Sequence, residues 1–175
     1  MGELGKPCHD AIRAQVELAQ LHGVHNVKPT AISLTNATEQ GTVLKPAEVA
    51  AYGELAKELN LGLHIDGARF SNAVVGSGAS PADLTWRSGV DVLTFGATKN
   101  GAIAAEAVVF FNDRFSEDFA YRRKRAGHLW SKHRFLAAQF DAFLADDLWL
   151  DNARHANALA ARLANGLSQL PGATL

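Results

Sequence analysis

Apolar and polar positions alternate along this chain with two different periods. From about Cys8 to Gly23, Ile12, Val16, Leu18 and Leu21 recur at helical spacing and Gly23 supplies a stop, which predicts a first helix. Thr30–Thr35 (T-A-I-S-L-T) alternates with period two and predicts a short strand, followed by a polar loop over Asn36–Thr42. Pro46 opens a second helix that runs to Asn60, with Val49, Tyr52, Leu55, Ala56 and Leu59 as its buried stripe. Leu61–Ile65 is the next strand and ends at Asp66-Gly67. A helical stretch follows over Arg69–Val75, then a Gly/Ser loop over Gly76–Ser80, and one or two helical turns over Pro81–Trp86. Asp91–Phe95 and Ala105–Phe111 read as strands separated by a loop that begins at Gly96–Gly101. From Asp113 onward the pattern is helical, roughly over Arg114–Ala126, Ser131–Leu144 and Leu148–Gly166.

Strands alternating with helices predict an α/β fold, a three-layer arrangement with a mostly parallel sheet and flanking helices, followed by a helical C-terminal section. In such sheets ligands bind where the loops leave the carboxyl ends of the strands. The loops after Ile65 and after Phe95 lie there. The chain opens on a helix with no edge strand before it and closes on Gly172-Ala173-Thr174-Leu175, a turn that leads nowhere. The expectation is a piece of a longer protein.

Composition narrows the classes. The 175 residues carry 17 Lys and Arg against 18 Asp and Glu, a net charge of −1, which argues against a main task of gripping nucleic acid or anionic lipid. The single cysteine, Cys8, rules out an intramolecular disulfide framework and is most simply an incidental thiol. No apolar run approaches about 18 residues, and Met1–Asp10 lacks the design of a signal peptide. The expectation is a soluble, cytoplasmic chain with no membrane or nucleic-acid partner. The seven histidines form no metal motif; His22 and His25 lie one turn apart without a third ligand.

Two stretches carry chemistry. In His64–Phe70 (H-I-D-G-A-R-F) a carboxylate ends a buried apolar strand, where ionisation is costly unless a cation meets it, and Arg69 supplies a planar fork suited to a carboxylate or phosphate. A helix cap with a surface ion pair is the commoner meaning of an isolated D-x-x-R. In Thr94–Gly101 (T-F-G-A-T-K-N-G) Lys99 follows a strand among small and polar neighbours. Schiff-base chemistry needs such a lysine with its amine freed from the proton; a solvated lysine in a turn is the alternative. The Gly-x4-Gly-Lys-Ser/Thr spacing of a phosphate loop is absent. The run Arg122-Arg123-Lys124-Arg125 reads as a solvated helix face, or as a phosphate or subunit contact.

Taken together, H-I-D-G-A-R-F and F-G-A-T-K-N-G resemble the low-specificity L-threonine aldolase family, pyridoxal-phosphate enzymes of the aspartate-aminotransferase-like fold. The resemblance implies that residues 1–145 are part of the cofactor-binding large domain and that residues 146–175 form a long helix leading into a small domain. It implies retro-aldol cleavage of threonine or allo-threonine to glycine and an aldehyde, with pyridoxal 5'-phosphate as cofactor. It implies a homodimer or homotetramer acting on a small amino-acid substrate. Lys99 is then the Schiff-base lysine, Asp66 the partner of the pyridine nitrogen, and Arg69 a holder of the substrate carboxylate. His25 matches loosely a histidine near the substrate hydroxyl, in a catalytic role; a loop histidine is its plainer meaning. The loop Thr35–Thr42 resembles the family's active-site loop, without an assigned role for Thr38 or Glu39. Ala126–Arg134 departs from the family's G-G-G-M-R-Q, which leaves Lys124 and Lys132 without a role. The phosphate cradle and a second carboxylate-binding arginine belong to parts of the family outside this chain, so the chain alone is expected to be inactive or nearly so. The alternatives are another enzyme of the same fold type, a β-eliminating lyase or an aminotransferase, and a non-catalytic oligomerisation remnant.

Overall fold

The computed structural model describes residues 2–173, so Thr174 and Leu175 of the expected closing turn lie outside the described residues. Four strands form one sheet in the order β1 (Ala31–Thr35), β2 (Gly62–Gly67), β3 (Val92–Gly96) and β4 (Glu106–Phe110). The helices are α1 (His9–Leu21), α2 (Pro46–Glu58), α3 (Phe70–Ser77), α4 (Phe119–Arg125), α5 (Arg134–Leu144) and α6 (Leu148–Leu167). β1, β2 and β3 are parallel, with α2 and α3 in the two crossovers, and β4 returns antiparallel to β3. Connection length decides this. A parallel crossover needs a dozen or more residues, and residues 97–105 are too few to make one.

Period-two alternation gives the sheet two unlike faces. Ile32, Leu34, Leu63, Ile65 and Leu93 point to one face and form the core with Val49, Tyr52, Leu55 and Ala56 of α2 and Phe70 and Val74 of α3. Leu34, Leu63 and Ile65 are essentially sealed from solvent, and burial of each contributes about 1.5–3 kcal/mol. The other face carries Ser33, Thr35, His64, Asp66 and Thr94, all partly or fully exposed. A third layer reaches this face at the β4 edge, where Phe119 of α4 packs on Phe110 with ring centroids 4.9 Å apart.

Local chemistry accounts for the helix boundaries. Pro46 occupies the first turn of α2, and the Glu48 carboxylate accepts the Lys45 N–H at 2.8 Å. Burial opposes ionisation of Glu48, but the Lys45 amide and the Lys6 ammonium at 2.6 Å outweigh it and hold the carboxyl below its ordinary value. α1 runs alongside α2 in the same direction: Lys6 meets Glu48, His9 stacks edge-on against Tyr52, and Arg13 pairs with Glu58. α6 is tied to α3 through Asn157, whose carboxamide both accepts from Asn72 Nδ2 at 2.9 Å and donates to the Asn72 carbonyl.

Three expected helical stretches are shorter than their patterns suggest. Residues 81–85 form hydrogen-bonded turns, with a 3-10 turn only at Trp86–Ser88. The stretch expected over Arg114–Ala126 splits into a 3-10 turn, capped when Asn112 accepts the Arg114 N–H, and then α4. α5 begins only at Arg134, after a turn over residues 131–133 in which the His133 N–H donates to the Trp130 carbonyl at 3.2 Å. Among the described residues no helix is long and apolar enough to cross a membrane.

Candidate active site

Loops from the carboxyl ends of β1, β2 and β3 carry the candidate groups. Asp66 is the penultimate residue of β2, in register with Thr35 on one side and Thr94 on the other. Its Oδ1 accepts the Ala68 N–H at 3.0 Å, a turn that ends the strand and fixes the carboxylate. The other oxygen makes no hydrogen bond among the described residues, which leaves an acceptor open to a donor from outside the chain.

Lys99 stands in the 3-10 turn Thr98–Asn100 directly after β3. Both flanks of that turn are clamped. The Ala97 N–H donates to the Ala105 carbonyl at 3.0 Å, and the Thr98 hydroxyl accepts the Ala105 N–H at 3.1 Å. Asn100 Nδ2 reaches the Trp149 carbonyl at 2.8 Å, and Asn152 Nδ2 returns to the Asn100 carbonyl at 2.9 Å. Gly101 closes the turn at φ +119°, a conformation that L side chains rarely adopt. The backbone around Lys99 is therefore held at both sides while its side chain is exposed. At Gly96 an added Cβ would lie 3.0 Å from Ala68 Cα and 2.7 Å from the Glu106 carboxylate. That close approach lets the turn after Asp66 seat against the strand leading to Lys99.

Arg69 immediately precedes α3 and donates from Nη1 to Glu39 Oε1 at 2.9 Å. Glu39 sits on the loop after β1, which has its own scaffold. The carboxamide of Asn36 donates to the Leu44 carbonyl and accepts the Leu44 N–H, both at 3.1 Å. The Thr42 hydroxyl donates to the Leu4 carbonyl at 2.7 Å, which leaves the Thr38 hydroxyl to donate to Thr42 at 2.8 Å.

The structure thus gathers Asp66, Arg69 and Lys99 at one end of the sheet. His25 lies apart from them, in the 3-10 turn Gly23–His25 after α1. Because α1 runs with α2, it delivers that turn to the amino end of β1, and β1 then runs away from it toward the site. The loose match that suggested a catalytic His25 therefore does not correspond to a shared location in this chain.

Two neighbours of the site had no role assigned from the sequence. Glu39, on the loop that resembles the family's active-site loop, is the partner of Arg69, a pairing that the polar loop pattern does not express. His64 is half-buried, with Nδ1 at 2.8 Å from Ser33 Oγ and Nε2 at 3.3 Å from Thr94 Oγ1. Burial pushes its pKa down, and the Asp66 charge partly opposes this. The H-x-D spacing on a strand was a usable signal, since it puts both side chains on one face.

These groups fit a protonated aromatic ring bearing a carbonyl. The open oxygen of Asp66 can take a ring N–H, Lys99 can offer an amine to the carbonyl carbon, and the flanking Thr35 and Thr94 are small and polar. The arrangement can hold such a group at two points on adjacent strands, with Arg69 at hand for an anion.

The model of the family described as beta-eliminating lyase matches residues 2–175. The chain is 53% identical over 152 residues to a low specificity L-threonine aldolase of Pseudomonas aeruginosa, covering 87% of this chain and 44% of that protein. It is 49% identical, with the same coverage, to a low specificity L-threonine aldolase of another Pseudomonas strain. A solved threonine aldolase structure from Leishmania major superposes with a TM-score of 0.84 at 29% identity, covering 95% of this chain and 48% of that one. The chain spans less than half the length of the curated relatives it matches.

Proposed function

Because the chain belongs to the beta-eliminating lyase family, we propose that it is part of a pyridoxal-phosphate-dependent aldolase that cleaves threonine or allo-threonine to glycine and an aldehyde. The observation that carries this reading is the pairing of an open, strand-borne carboxylate at Asp66 with a clamped, exposed lysine at Lys99 on the adjacent strand's loop. The similarity to threonine aldolases supports the choice among the chemistries that such a pair can serve.

Bound pyridoxal phosphate supplies an electron sink for the pair released when the Cα–Cβ bond of a β-hydroxy-α-amino acid breaks. This chain's residues do the holding. Asp66 accepts the N–H of the ring nitrogen and, by its charge, keeps the proton there. Lys99 secures the carbonyl carbon, and the clamps at Thr98 and Asn100 fix where its amine is offered. Arg69 binds the substrate α-carboxylate, with donors beyond the one that Glu39 engages. The reading includes a homodimer or homotetramer in the cytoplasm.

Borohydride trapping with pyridoxal phosphate, followed by peptide mapping, tests the assignment in the full-length protein. The expected result is one adduct on Lys99, lost in Lys99→Ala, together with glycine and acetaldehyde released from threonine. Label scattered over surface lysines would overturn the site. An adduct on Lys99 with ammonia and a keto acid as products would keep the site and overturn the aldolase reaction.

A further inference from the structure

We propose that His64 is a positioning residue held as the neutral Nε2–H tautomer, and that it keeps the hydroxyl proton of Thr94 away from Asp66. The role toward Asp66 rests on the reading above; the tautomer does not.

The assignment follows from counting protons along one row of side chains. Thr94 is in register with Asp66 on the same face of the sheet, yet no hydrogen bond joins them among the described residues. The Thr94 hydroxyl has one proton and lies 3.4 Å from the Ile65 carbonyl and 3.3 Å from His64 Nε2. A carbonyl can only accept, so with the hydroxyl proton on Ile65 it is His64 Nε2 that donates to Thr94. A neutral imidazole has a single N–H, so Nδ1 carries the lone pair and the Ser33 hydroxyl donates to it at 2.8 Å. The protons then run one way across three strands, from Ser33 to His64, from His64 to Thr94, and from Thr94 to the backbone of β2. Half-burial, which lowers the affinity of the imidazole for a second proton, agrees with this arrangement.

The consequence lies at Asp66. A neighbouring hydroxyl donating to its open oxygen would take one of that oxygen's two lone pairs and weaken its hold on a ring N–H. By donating to Thr94, His64 fills one of the hydroxyl oxygen's acceptor sites and leaves the hydroxyl proton turned toward Ile65. Loss of the imidazole frees the hydroxyl to rotate to the carboxylate beside it.

Long-range 1H–15N correlation on the labelled 175-residue chain at neutral pH reads the tautomer directly. Protonated Nε2 with bare Nδ1 at His64 is expected; the reverse tautomer, or a doubly protonated ring, overturns the assignment. The role is read by cofactor affinity in the full-length protein. His64→Phe is expected to weaken pyridoxal-phosphate binding about tenfold, the scale of one hydrogen bond to a charged group. The double variant His64→Phe/Thr94→Val, which has no hydroxyl to compete for Asp66, is expected to recover most of that loss. A double variant as weak as the single one, or a single variant that binds normally, overturns the role. If the unaltered protein takes up no cofactor on Lys99, the role falls together with the functional reading, and the tautomer result still stands by itself.

Discussion

Asn36→Ala should cost this chain about 2–6 kcal/mol. Asn36 is fully buried, and its carboxamide bonds both backbone groups of Leu44, which is 1% exposed. Truncation strands one N–H and one C=O in a dry setting, and each unsatisfied group costs about 1–3 kcal/mol. Against a usual domain stability of about 5–15 kcal/mol that is a large share. Asn36→Asp separates the two bonds. A carboxylate still accepts the Leu44 N–H but faces the Leu44 carbonyl with no proton to give, so at neutral pH it should destabilise at least as much as alanine. In acid, the protonated side chain can donate again and part of the loss should return. Urea unfolding followed by far-UV circular dichroism measures both variants, and amide exchange at Leu44 reports the local opening. A midpoint for Asn36→Ala equivalent to less than about 0.5 kcal/mol of destabilisation would refute the reasoning, because water or a shifted backbone would then be satisfying Leu44.

Other consequences are equally direct. Leu34→Ala, at 2% exposure in the core, should destabilise by about 2–5 kcal/mol in the same urea assay, with a slope close to the unaltered chain's. Gly96→Ala should cost about 1–3 kcal/mol, because Glu106 can swing away from the new methyl group but the Ala68 backbone cannot; borohydride trapping on Lys99 should fall with it. The folded-state pKa of His64 lies below its ordinary value of 6.5, so as pH falls the unfolded chain binds this proton first. Its contribution is fully present above about pH 6.5 and is lost below that until the folded imidazole itself titrates. His64→Asn should flatten that part of a stability–pH curve measured by thermal unfolding, and an unchanged slope would remove His64 as its source.

Much of the scaffold is legible in the order of residues alone. Alternation in T-A-I-S-L-T and in L-H-I-D-G marks two strands with one apolar and one polar face. The stripe from Val49 to Leu59 marks the helix between them. These signals are local, because pleat and helix periods place neighbours within a few residues of one another. H-I-D-G-A-R-F and F-G-A-T-K-N-G likewise point to Asp66, Arg69 and Lys99, since these groups lie at or just after strand ends, and strand ends cluster in parallel sheets. Direction and pairing are not local. β4 runs antiparallel because residues 97–105 are too few for a crossover, a length constraint that strand patterning does not express. His25 belongs to the amino end of β1 because α1 follows α2, an orientation set by Lys6, Tyr52 and Arg13 across the helix pair. Glu39 reaches Arg69, and His64 links Ser33 to Thr94, across about 30 residues of sequence in each case. Local pattern was enough to mark the strands, most of the helices and the loops that carry the candidate groups. Which side chains share a proton or a charge followed only from packing, because such partners are chosen by distance in space after the chain has crossed over.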